Sequence, residues 1–517
     1  MLELATLLVP VLPMLAALWI AAAYAVGLNR GEAGERRTTR VVVGTAALAL
    51  GLLLVQDVLA VLRGAPGQVV LGNWIESGSY RVAVSFTLDT LGLAIATLVA
   101  FLCVLTLRFS ASYMHREDGF QRFMALLSLF TGAMLLIVTA GNAVLAFVGW
   151  ELAGVSSFLL IGYAFDRPLA TANAVRAFVT NRIGDAGFIL AIALSLSWLG
   201  GVEWPEITGG SAPLGHLAAG AVAAGFLLAA LAKSAQVPFA PWIARALEGP
   251  TPSSAVFYGA VMVHAGVYLV IRLAPLFEQA PAVMAAMAVL GALTAVYGFL
   301  GGLVQADVKS ALIFSTTGQV GLMFLECGLG AFDLAAWHLA AHAAWRAYQF
   351  LSAPSLMHRV SRPARPVPAW LGRRRLLYTA TLRRFWLDPI ADWLLTEPTQ
   401  ALARDVQAFD ERVVNRLVGL PTQASAVSSL AEWEARQRGY LTVEGDIGRG
   451  RGVAGRMMEW LASALAWFEE HLVLSGGGAG LARGLRIRGG YLLQADELLS
   501  QPRYLFLLIM ATFVVIL

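Results

Sequence analysis

Cysteine and charge are both scarce in this sequence. Its 517 residues include two cysteines, Cys103 and Cys327, and 14% of the residues are charged. Both cysteines lie in apolar segments without metal-ligand spacing, so they are predicted to be small buried side chains and carry no information about the redox compartment. The sequence also lacks a nucleotide-binding loop, a catalytic triad and a haem motif. We therefore do not expect the chain to be an enzyme by itself.

Hydrophobic residues make up 58% of the chain, and its mean hydropathy is +0.69. This balance is typical of polytopic membrane proteins and exceeds what a water-soluble core needs. The first apolar run lacks a preceding basic segment and is long enough to span a bilayer, so it is predicted to be a transmembrane helix and not a signal peptide. The net charge of +4 comes mostly from arginine, whose placement favours membrane orientation over nucleic-acid binding.

Eleven apolar runs have the length of a membrane span, and a shorter twelfth run ends the sequence. They are residues 4–27, 40–62, 86–108, 122–140, 142–163, 174–199, 216–247, 252–274, 281–304, 309–328, 332–356 and 503–517. We therefore predict an all-α polytopic membrane protein with about 12 transmembrane helices.

Arginine is concentrated in the loops that follow the odd-numbered runs. Those loops contain Arg30, Arg36, Arg37, Arg40, Arg108, Arg116, Arg122, Arg167 and Arg176, and HRVSRPARPVPAWLGRRR follows the eleventh run. The loops at 200–215 and 275–281 contain no Lys or Arg, although Arg63 and Arg81 follow the second run. Because basic loops face the cytoplasm, we predict a bacterial inner-membrane protein with both termini in the periplasm.

The apolar run at 216–247 contains one lysine and two prolines that interrupt it. Lys233 lies inside the run, and Pro238 and Pro241 follow it. Each proline removes an amide donor and clashes with the preceding turn, so the helix is predicted to break near residues 236–240. A buried ammonium is costly unless it is offset, and a broken helix persists in a membrane only where protein or water satisfies its backbone. This combination indicates a hydrated path for a cation, most simply a proton.

Six collinear segments of the chain resemble the antiporter-like, proton-translocating membrane subunits. That family includes the L subunit of respiratory complex I and the large Mrp antiporter subunit. The segments are FVGWELAGVSSFLLIGY (147–163), AFVTNRIGDAGFILA (177–191), AKSAQVPFAPWIARALEGPTPSSA (232–255), HAGVYLVIR (264–272), GLVQADVKSALIFSTTGQVGLMF (302–324) and HLAAHAAWRAYQFL (338–351). The resemblance covers about residues 75–356.

The resemblance implies a proton path through several of these residues. Glu151 matches the intramembrane glutamate of the family, and Lys233 matches the lysine of its first broken helix, a pair whose protonation changes as the channel loads. A carboxylate and an ammonium close together in a low dielectric hold each other charged, so separating them changes the proton affinity of both. Lys309 matches the lysine that begins the next conducting segment. His338 and His342 match two histidines one helical turn apart that relay a proton.

Structural explanations of the same residues remain open at this point. Glu151 is also consistent with a helix-packing carboxylate that is hydrogen-bonded to a neighbour. Lys309 follows Asp307 near a helix end, so a snorkelling anchor is an alternative to a relay. His338 and His342 are also consistent with polar packing between helices.

Other polar residues either support this path or depart from the family pattern. Arg182 and Asp185 are predicted to form a local ion pair, which is either structural or tunes the intramembrane glutamate. Tyr258 stands where the family has a histidine, and His264, about a turn and a half later, is predicted to join the path. Arg346 stands where the family has a lysine. Arginine is effectively always charged, so this substitution argues against proton transfer through that position.

Residues 358–502 differ from the core because arginine and acidic residues recur among apolar ones. Helical spacing places Phe385, Ile390, Trp393 and Leu394 on one face, so we predict cytoplasmic amphipathic helices along the membrane or a partner, with a soluble domain as the alternative. The predicted organisation is N-terminal transmembrane helices at 1–75, a proton-conducting core at 76–357, the amphipathic region at 358–502 and a C-terminal transmembrane anchor at 503–517.

The full motif set most resembles the shortened membrane subunit of DAB-type inorganic-carbon accumulation complexes. That resemblance implies that proton flow drives hydration of CO₂ to bicarbonate by a large cytoplasmic partner similar to β-carbonic anhydrases. The sequence contains no metal-ligand cluster, so zinc is expected in the partner and no cofactor is expected in this chain. The alternative is a proton-pumping or cation/proton antiporter subunit of a complex I-like or Mrp-type complex. A third reading is a membrane scaffold with vestigial polar residues.

Overall fold

The structure is a computed structural model, and it describes residues 2–78, 80–209, 216–359, 366–414 and 460. The chain divides into two compact units, Met1–Glu397 and Pro398–Leu517. The membrane-type helices belong to the first unit. The predicted anchor at 503–517 and most of the predicted amphipathic region beyond residue 414 lie outside the described residues.

The first unit is built from long helices in the order that the apolar runs predict. The helices up to residue 359 are α1 (Leu2–Ala25), α2 (Gly31–Arg63), α3 (Thr90–Tyr113), α4 (Phe120–Thr139), α5 (Ala143–Ile161), α6 (Pro168–Leu199), α7 (Trp204–Gly209), α8 (His216–Lys233), α9 (Pro241–Arg245), α10 (Thr251–Ser254), α11 (Ala265–Arg272), α12 (Ala274–Glu278), α13 (Pro281–Gly302), α14 (Val308–Gly328) and α15 (Phe332–Arg359). Among the described residues, nine spans are long and apolar enough to cross a membrane. The all-α polytopic class is therefore confirmed.

A short antiparallel hairpin interrupts the helical order and was not predicted. Its strands are β1 (Gly67–Ser77) and β2 (Tyr80–Leu88). The run at 86–108 predicts a helix from its first residue, but α3 begins only after Asp89, which caps the helix by accepting a 2.8 Å hydrogen bond from the Gly92 amide. The β-branched residues of β2, Val82, Val84 and Thr87, favour the extended backbone before this cap.

The ends of the helices define two sides of the bundle. On the hairpin side, Glu203 accepts hydrogen bonds from Ser85 (2.6 Å) and Asn142 (2.9 Å), which tie the strand to the α5 and α6 ends. Burial raises the pKa of this carboxyl group. On the opposite side, here called the basic side, Arg116 of the α3–α4 loop pairs with Glu32 of α2 at 2.6 Å. The arginine-rich loops share this side, and their cytoplasmic orientation remains a prediction.

The segment 252–274 does not form the single helix that its hydropathy predicts. Within it, α10 passes through a π-helical stretch, Ala255–Ala260, and a 3₁₀ turn, Met262–His264, before α11 begins. Val261 at the junction has φ −142° and ψ −55°, outside the helical region. A second irregular helix therefore lies in the core beside the broken helix α8–α9, and such interruptions often occur at functional sites.

The chain after α15 forms short helices, α16 (Ala369–Gly372), α17 (Arg375–Leu382), α18 (Leu387–Ala391) and α19 (Glu397–Phe409). The prediction that four apolar residues share one helical face is wrong. All three residues of Arg384–Trp386 have positive φ angles, so the chain turns sharply between α17 and α18. The Phe385 ring lies 6.2 Å from that of Tyr297, while three other residues are exposed: Ile390, Trp393 and Leu394.

Glycine lets α13 and α14 pack with their backbones in contact. A Cβ on Gly298 would lie 2.3 Å from the Gly318 nitrogen, and one on Gly291 would lie 2.5 Å from the Leu325 nitrogen. Small residues at helix crossings allow this approach in membranes, where packing between helices is the main attraction. The pair positions α14 against α15, whose polar residues are described below.

We predict that Gly298→Ala lowers stability by about 1–3 kcal/mol, because a methyl group facing rigid backbone forces the helices apart. Thermal unfolding of the detergent-purified protein would measure this loss. Gly44→Ala is the matched control, since a Cβ on this exposed α2 glycine meets no described atom within 4 Å. Equal melting temperatures for both variants would contradict the close packing of α13 on α14.

Candidate functional site

The predicted helix break is present and begins directly after the lysine. α8 ends at Lys233 and α9 starts at Pro241, so residues 234–240 separate the two helices. The freed carbonyl of Ala232 accepts a 2.9 Å hydrogen bond from the indole nitrogen of Trp242. Lys233 therefore occupies the C-terminal end of a helix, where the helix dipole favours a positive charge.

The Lys233 ammonium is almost completely enclosed, with 1% of the residue exposed. Its Nζ donates a 3.1 Å hydrogen bond to the carbonyl oxygen of Trp150 and lies 5.0 Å from the centre of the Trp150 ring. Within the described part of the chain, Lys233 forms no direct ion pair with Glu151. The two residues predicted to act as a pair are instead connected through Trp150, the residue before Glu151 in α5.

Arg182 of α6 binds both nearby carboxylates. It forms an ion pair with Glu151 and a second one, of 2.7 Å, with Asp185. The indole nitrogen of Trp150 donates to the other oxygen of Asp185 at 2.8 Å. The predicted Arg182–Asp185 pair is thus present, and it extends to Glu151. These residues with Lys233 form a cluster of two cations and two carboxylates, here called the entry cluster.

Gly154, one turn after the glutamate in α5, makes room for both cations. A Cβ at this position would lie 2.9 Å from Arg182 Nη2 and 3.5 Å from Lys233 Nζ. The two side chains therefore approach the same patch of α5 from α6 and α8. This arrangement places Lys233 close to the charges of Glu151 and Asp185 without a hydrogen bond to either carboxylate.

Three predicted histidines come together in a second group. His264 Nε2 and His342 Nδ1 are 2.9 Å apart, and both residues are buried. The ring of His338 lies edge-on to that of His342, with 6.2 Å between centroids. His338 Nδ1 is 2.9 Å from a Glu326 oxygen, and its Nε2 is 2.9 Å from Gln319 Oε1. We call these residues the histidine chain.

Arg346 closes the histidine chain on its basic side. Its Nε lies 3.4 Å from His342 Nε2, and its Nη2 donates a 2.9 Å hydrogen bond to Ser315. The guanidinium is buried, with 5% of the residue exposed. Because arginine donates and does not accept, it determines which nitrogen of His342 carries a proton.

The two groups meet where α8 packs against α11. A Cβ on Gly266, two residues after His264, would lie 2.3 Å from the hydroxyl oxygen of Ser234, the residue after Lys233. Ser234 Oγ, His264 Nδ1 and the Tyr258 hydroxyl are buried and have no hydrogen-bond partner among the described residues. Buried polar atoms of this kind are normally satisfied by water. The packing of α8 on α11 therefore places the polar side chain of Ser234 beside the segment that follows His264.

Lys309 lies apart from the histidine chain. It occupies the first turn of α14, and its Nζ donates a 2.7 Å hydrogen bond to Thr251 Oγ1, which is 3.0 Å from the Tyr113 hydroxyl. Asp307 caps the same helix by accepting from the Ser310 amide. This position fits both the anchor and the relay interpretation, and both remain predictions.

Sequence reasoning missed Gln319 and Glu326 of the histidine chain, and Ser315, which accepts a hydrogen bond from Arg346. Glu326 carried a usable signal, because it is an ionisable residue inside the apolar run 309–328. Ser315 and Gln319 carried no such signal, since uncharged polar residues are common in transmembrane helices. In the described ranges, no group of three His, Cys, Asp or Glu residues is placed to hold a metal ion.

We predict that Arg182→Gln destabilises the protein by up to about 3–5 kcal/mol, because the two carboxylates would then lack their charged partner. Arg182→Lys keeps the charge and is expected to lose much less. Chemical or thermal unfolding of both purified variants would measure the difference. If the Gln variant were as stable as the Lys variant, the ion pairs of the entry cluster would not contribute to folding.

Two family models match the chain. NADH:quinone oxidoreductase/Mrp antiporter, transmembrane, covers residues 140–396, and NADH-ubiquinone oxidoreductase (complex I), chain 5 N-terminus, covers residues 74–124. NADH-quinone oxidoreductase subunit L of Mycobacterium tuberculosis is 38% identical over 317 residues, which are 60% of this chain and 50% of that protein. The same subunit of Rhodobacter capsulatus is 39% identical over 335 residues, 61% of this chain and 47% of that protein.

Two solved structures share the fold. A chain of the Mrp complex from Dietzia sp. superposes with a TM-score of 0.60 at 21% identity, covering 100% of this chain and 62% of that chain. The archaeal membrane-bound sulfane sulfur reductase gives 0.57 at 21% identity, covering 69% and 57%. The chain spans about half the length of the curated relatives it matches. Over residues 74–124 and 140–396, the chain belongs to the antiporter-like membrane subunits of the NADH:quinone oxidoreductase and Mrp antiporter family.

Proposed function

We propose that this chain is a proton-conducting subunit of a complex I-like or Mrp-type membrane complex. The observation that supports this most directly is that apolar helices contain two groups of ionisable residues, the entry cluster and the histidine chain, and that α8 packs against α11 beside His264. Ionisable groups are expensive in a bilayer and mark ion or proton pathways. The names of the relatives also support membership in a multisubunit respiratory or antiporter complex.

The hydrogen bonds of the histidine chain fix the tautomers of its two buried rings. Arg346 donates to His342 Nε2, so neutral His342 carries its proton on Nδ1 and donates it to His264 Nε2. His264 then carries its own proton on Nδ1, the nitrogen without a partner among the described residues. The buried pair therefore shares one proton between His342 Nδ1 and His264 Nε2 and carries a second on His264 Nδ1, so it supports the proposal as an ordered hydrogen-bonded pair.

The chemistry of both groups favours H⁺ over Na⁺ as the transported ion. Hard metal cations are bound by sets of oxygen ligands. Both carboxylates of the entry cluster are already paired with Arg182, and the histidine chain presents ring nitrogens beside a guanidinium. Such surroundings offer few free oxygen ligands to a metal cation, but each lysine, carboxylate and imidazole can bind or release a proton.

The path predicts that Glu151→Gln and Lys233→Met each lower proton conduction by about 10²-fold or more, since each removes a group that binds protons. Proton uptake by proteoliposomes that contain the intact complex would test this. Glu278→Gln is the matched control, because Glu278 is exposed on α12. Complexes that assemble and conduct at the normal rate with both substitutions would overturn the proposal.

The sequence motifs suggest a more specific function, inorganic-carbon accumulation. Identifying the partner protein would distinguish this function from the broader proposal. Purification of the tagged chain from its native membrane provides the test. We expect co-elution of other membrane subunits of a redox or antiporter complex. Co-elution of one large zinc protein with CO₂-hydration activity would instead favour the carbon-accumulation reading with its β-carbonic-anhydrase-like partner.

A further inference from the structure

Glu326 lies at the end of α14 that faces the hairpin side. α14 starts on the basic side, where Lys309 bonds to Thr251, and it ends at Gly328. With a rise of about 1.5 Å per residue, Glu326 is only ~3 Å from that end. The next residue in the connection, Leu329, is 72% exposed. The carboxylate is therefore close to a membrane boundary and not at the bilayer centre.

The contacts of His338 prepare it to exchange a proton with this carboxylate. Gln319 Oε1 lies 2.9 Å from His338 Nε2, so an Nε2–H that donates to the amide oxygen leaves Nδ1 free in the neutral ring. The Glu326 oxygens are 2.9 and 3.1 Å from Nδ1. One proton can therefore move between a carboxylic acid with a neutral ring and a carboxylate with an imidazolium, and no other bond changes.

The solvent exposure of the side chains decreases along the histidine chain from Glu326 toward His264. The side chains of Glu326 and His338 are 19% and 20% exposed, whereas His342 and His264 are buried. On α15, His338 is about 9 Å and Arg346 about 21 Å below the helix start at Phe332. The chain of polar groups therefore runs from the hairpin-side boundary to the middle of the bundle.

Arg346 prevents proton transfer along α15 toward the basic side. The residues His338, His342 and Arg346 are spaced four apart on one helical face. A guanidinium keeps its proton, so it cannot pass one on toward the basic side. Among the described residues, Glu326 is then the titratable group at the accessible end of the histidine chain.

We propose that Glu326 is the proton-exchange group that connects the histidine chain to the aqueous phase on the hairpin side. This inference rests on the proposed proton conduction and adds the outlet of that path. A proton from water binds the Glu326 carboxylate, and the acid transfers it to His338 Nδ1. In the other direction, the imidazolium returns it to the carboxylate, which releases it to water.

The test compares Glu326→Gln with Glu326→Asp in the intact complex in proteoliposomes. The Gln side chain keeps the hydrogen bond to His338 but cannot bind a proton, whereas Asp keeps a carboxyl group. We expect about 10²-fold slower proton conduction for the Gln variant and partial recovery for the Asp variant. Glu278→Gln is again the control, as an exposed carboxylate on the same side. Infrared difference spectra should lose one carboxylic-acid band in the Gln variant only.

The failure of this inference can be distinguished from failure of the proposed function. If Glu151→Gln stops conduction and Glu326→Gln conducts at the normal rate, Glu326 only positions His338 and the outlet lies elsewhere. If Glu151→Gln also conducts normally, the proposed function itself is wrong. Loss of conduction in both the Gln and Asp variants, without loss of an infrared carboxyl band, would likewise assign Glu326 a purely structural role.

Discussion

The rest of the core depends on keeping the ammonium of Lys233 inside the bundle without a carboxylate bonded to it. The carbonyl and ring of Trp150, the end of α8 and the nearby carboxylates together offset its burial. Formally, two cations, Lys233 and Arg182, balance two anions, Glu151 and Asp185. Adding or removing one proton disturbs this balance, and in a low dielectric that imbalance would favour onward transfer in the proposed path. A direct Lys–Glu salt bridge would hold both charges too firmly for this purpose.

The chain separates fixed charges from exchangeable ones by residue type. Its lysines are Lys233 and Lys309, and every other basic side chain apart from histidine is arginine. Arginine keeps its charge at any pH that the protein meets, whereas a buried lysine can release its proton. Arg182 and Arg346 therefore act as permanent charges beside groups that can titrate. Each of them sits next to a proposed transfer step, one at Glu151 and the other at His342.

The sequence could predict features that depend on composition and local spacing. Hydropathy located eleven helical runs, and the Lys233 and proline positions located the break. The sequence could not predict contacts between distant segments, such as the hydrogen bond between His264 and His342. The spacing of residues along one helix does not show which other helix packs against them. The turn at Arg384–Trp386 was missed because three residues in the left-handed region have no helical-periodicity signal. Glu326 was overlooked because it lay outside the motifs of the family resemblance, although an ionisable residue inside an apolar run is a signal of the same kind as Lys233.

The segment at 387–392 forms ion pairs with two helices that carry or adjoin residues of the proposed proton path. Asp392 forms a two-point ion pair with Arg176 of α6, with both distances 2.6 Å, and Asp388 pairs with Arg245 of α9 at 3.2 Å. α6 also contributes Arg182 to the entry cluster, and α9 resumes the helix after the break. Two-point arginine–carboxylate pairs resist both rotation and sliding. Any displacement of α18 must therefore break these pairs or move α6 and α9 with it, so a force applied at the membrane surface reaches the residues that surround Lys233.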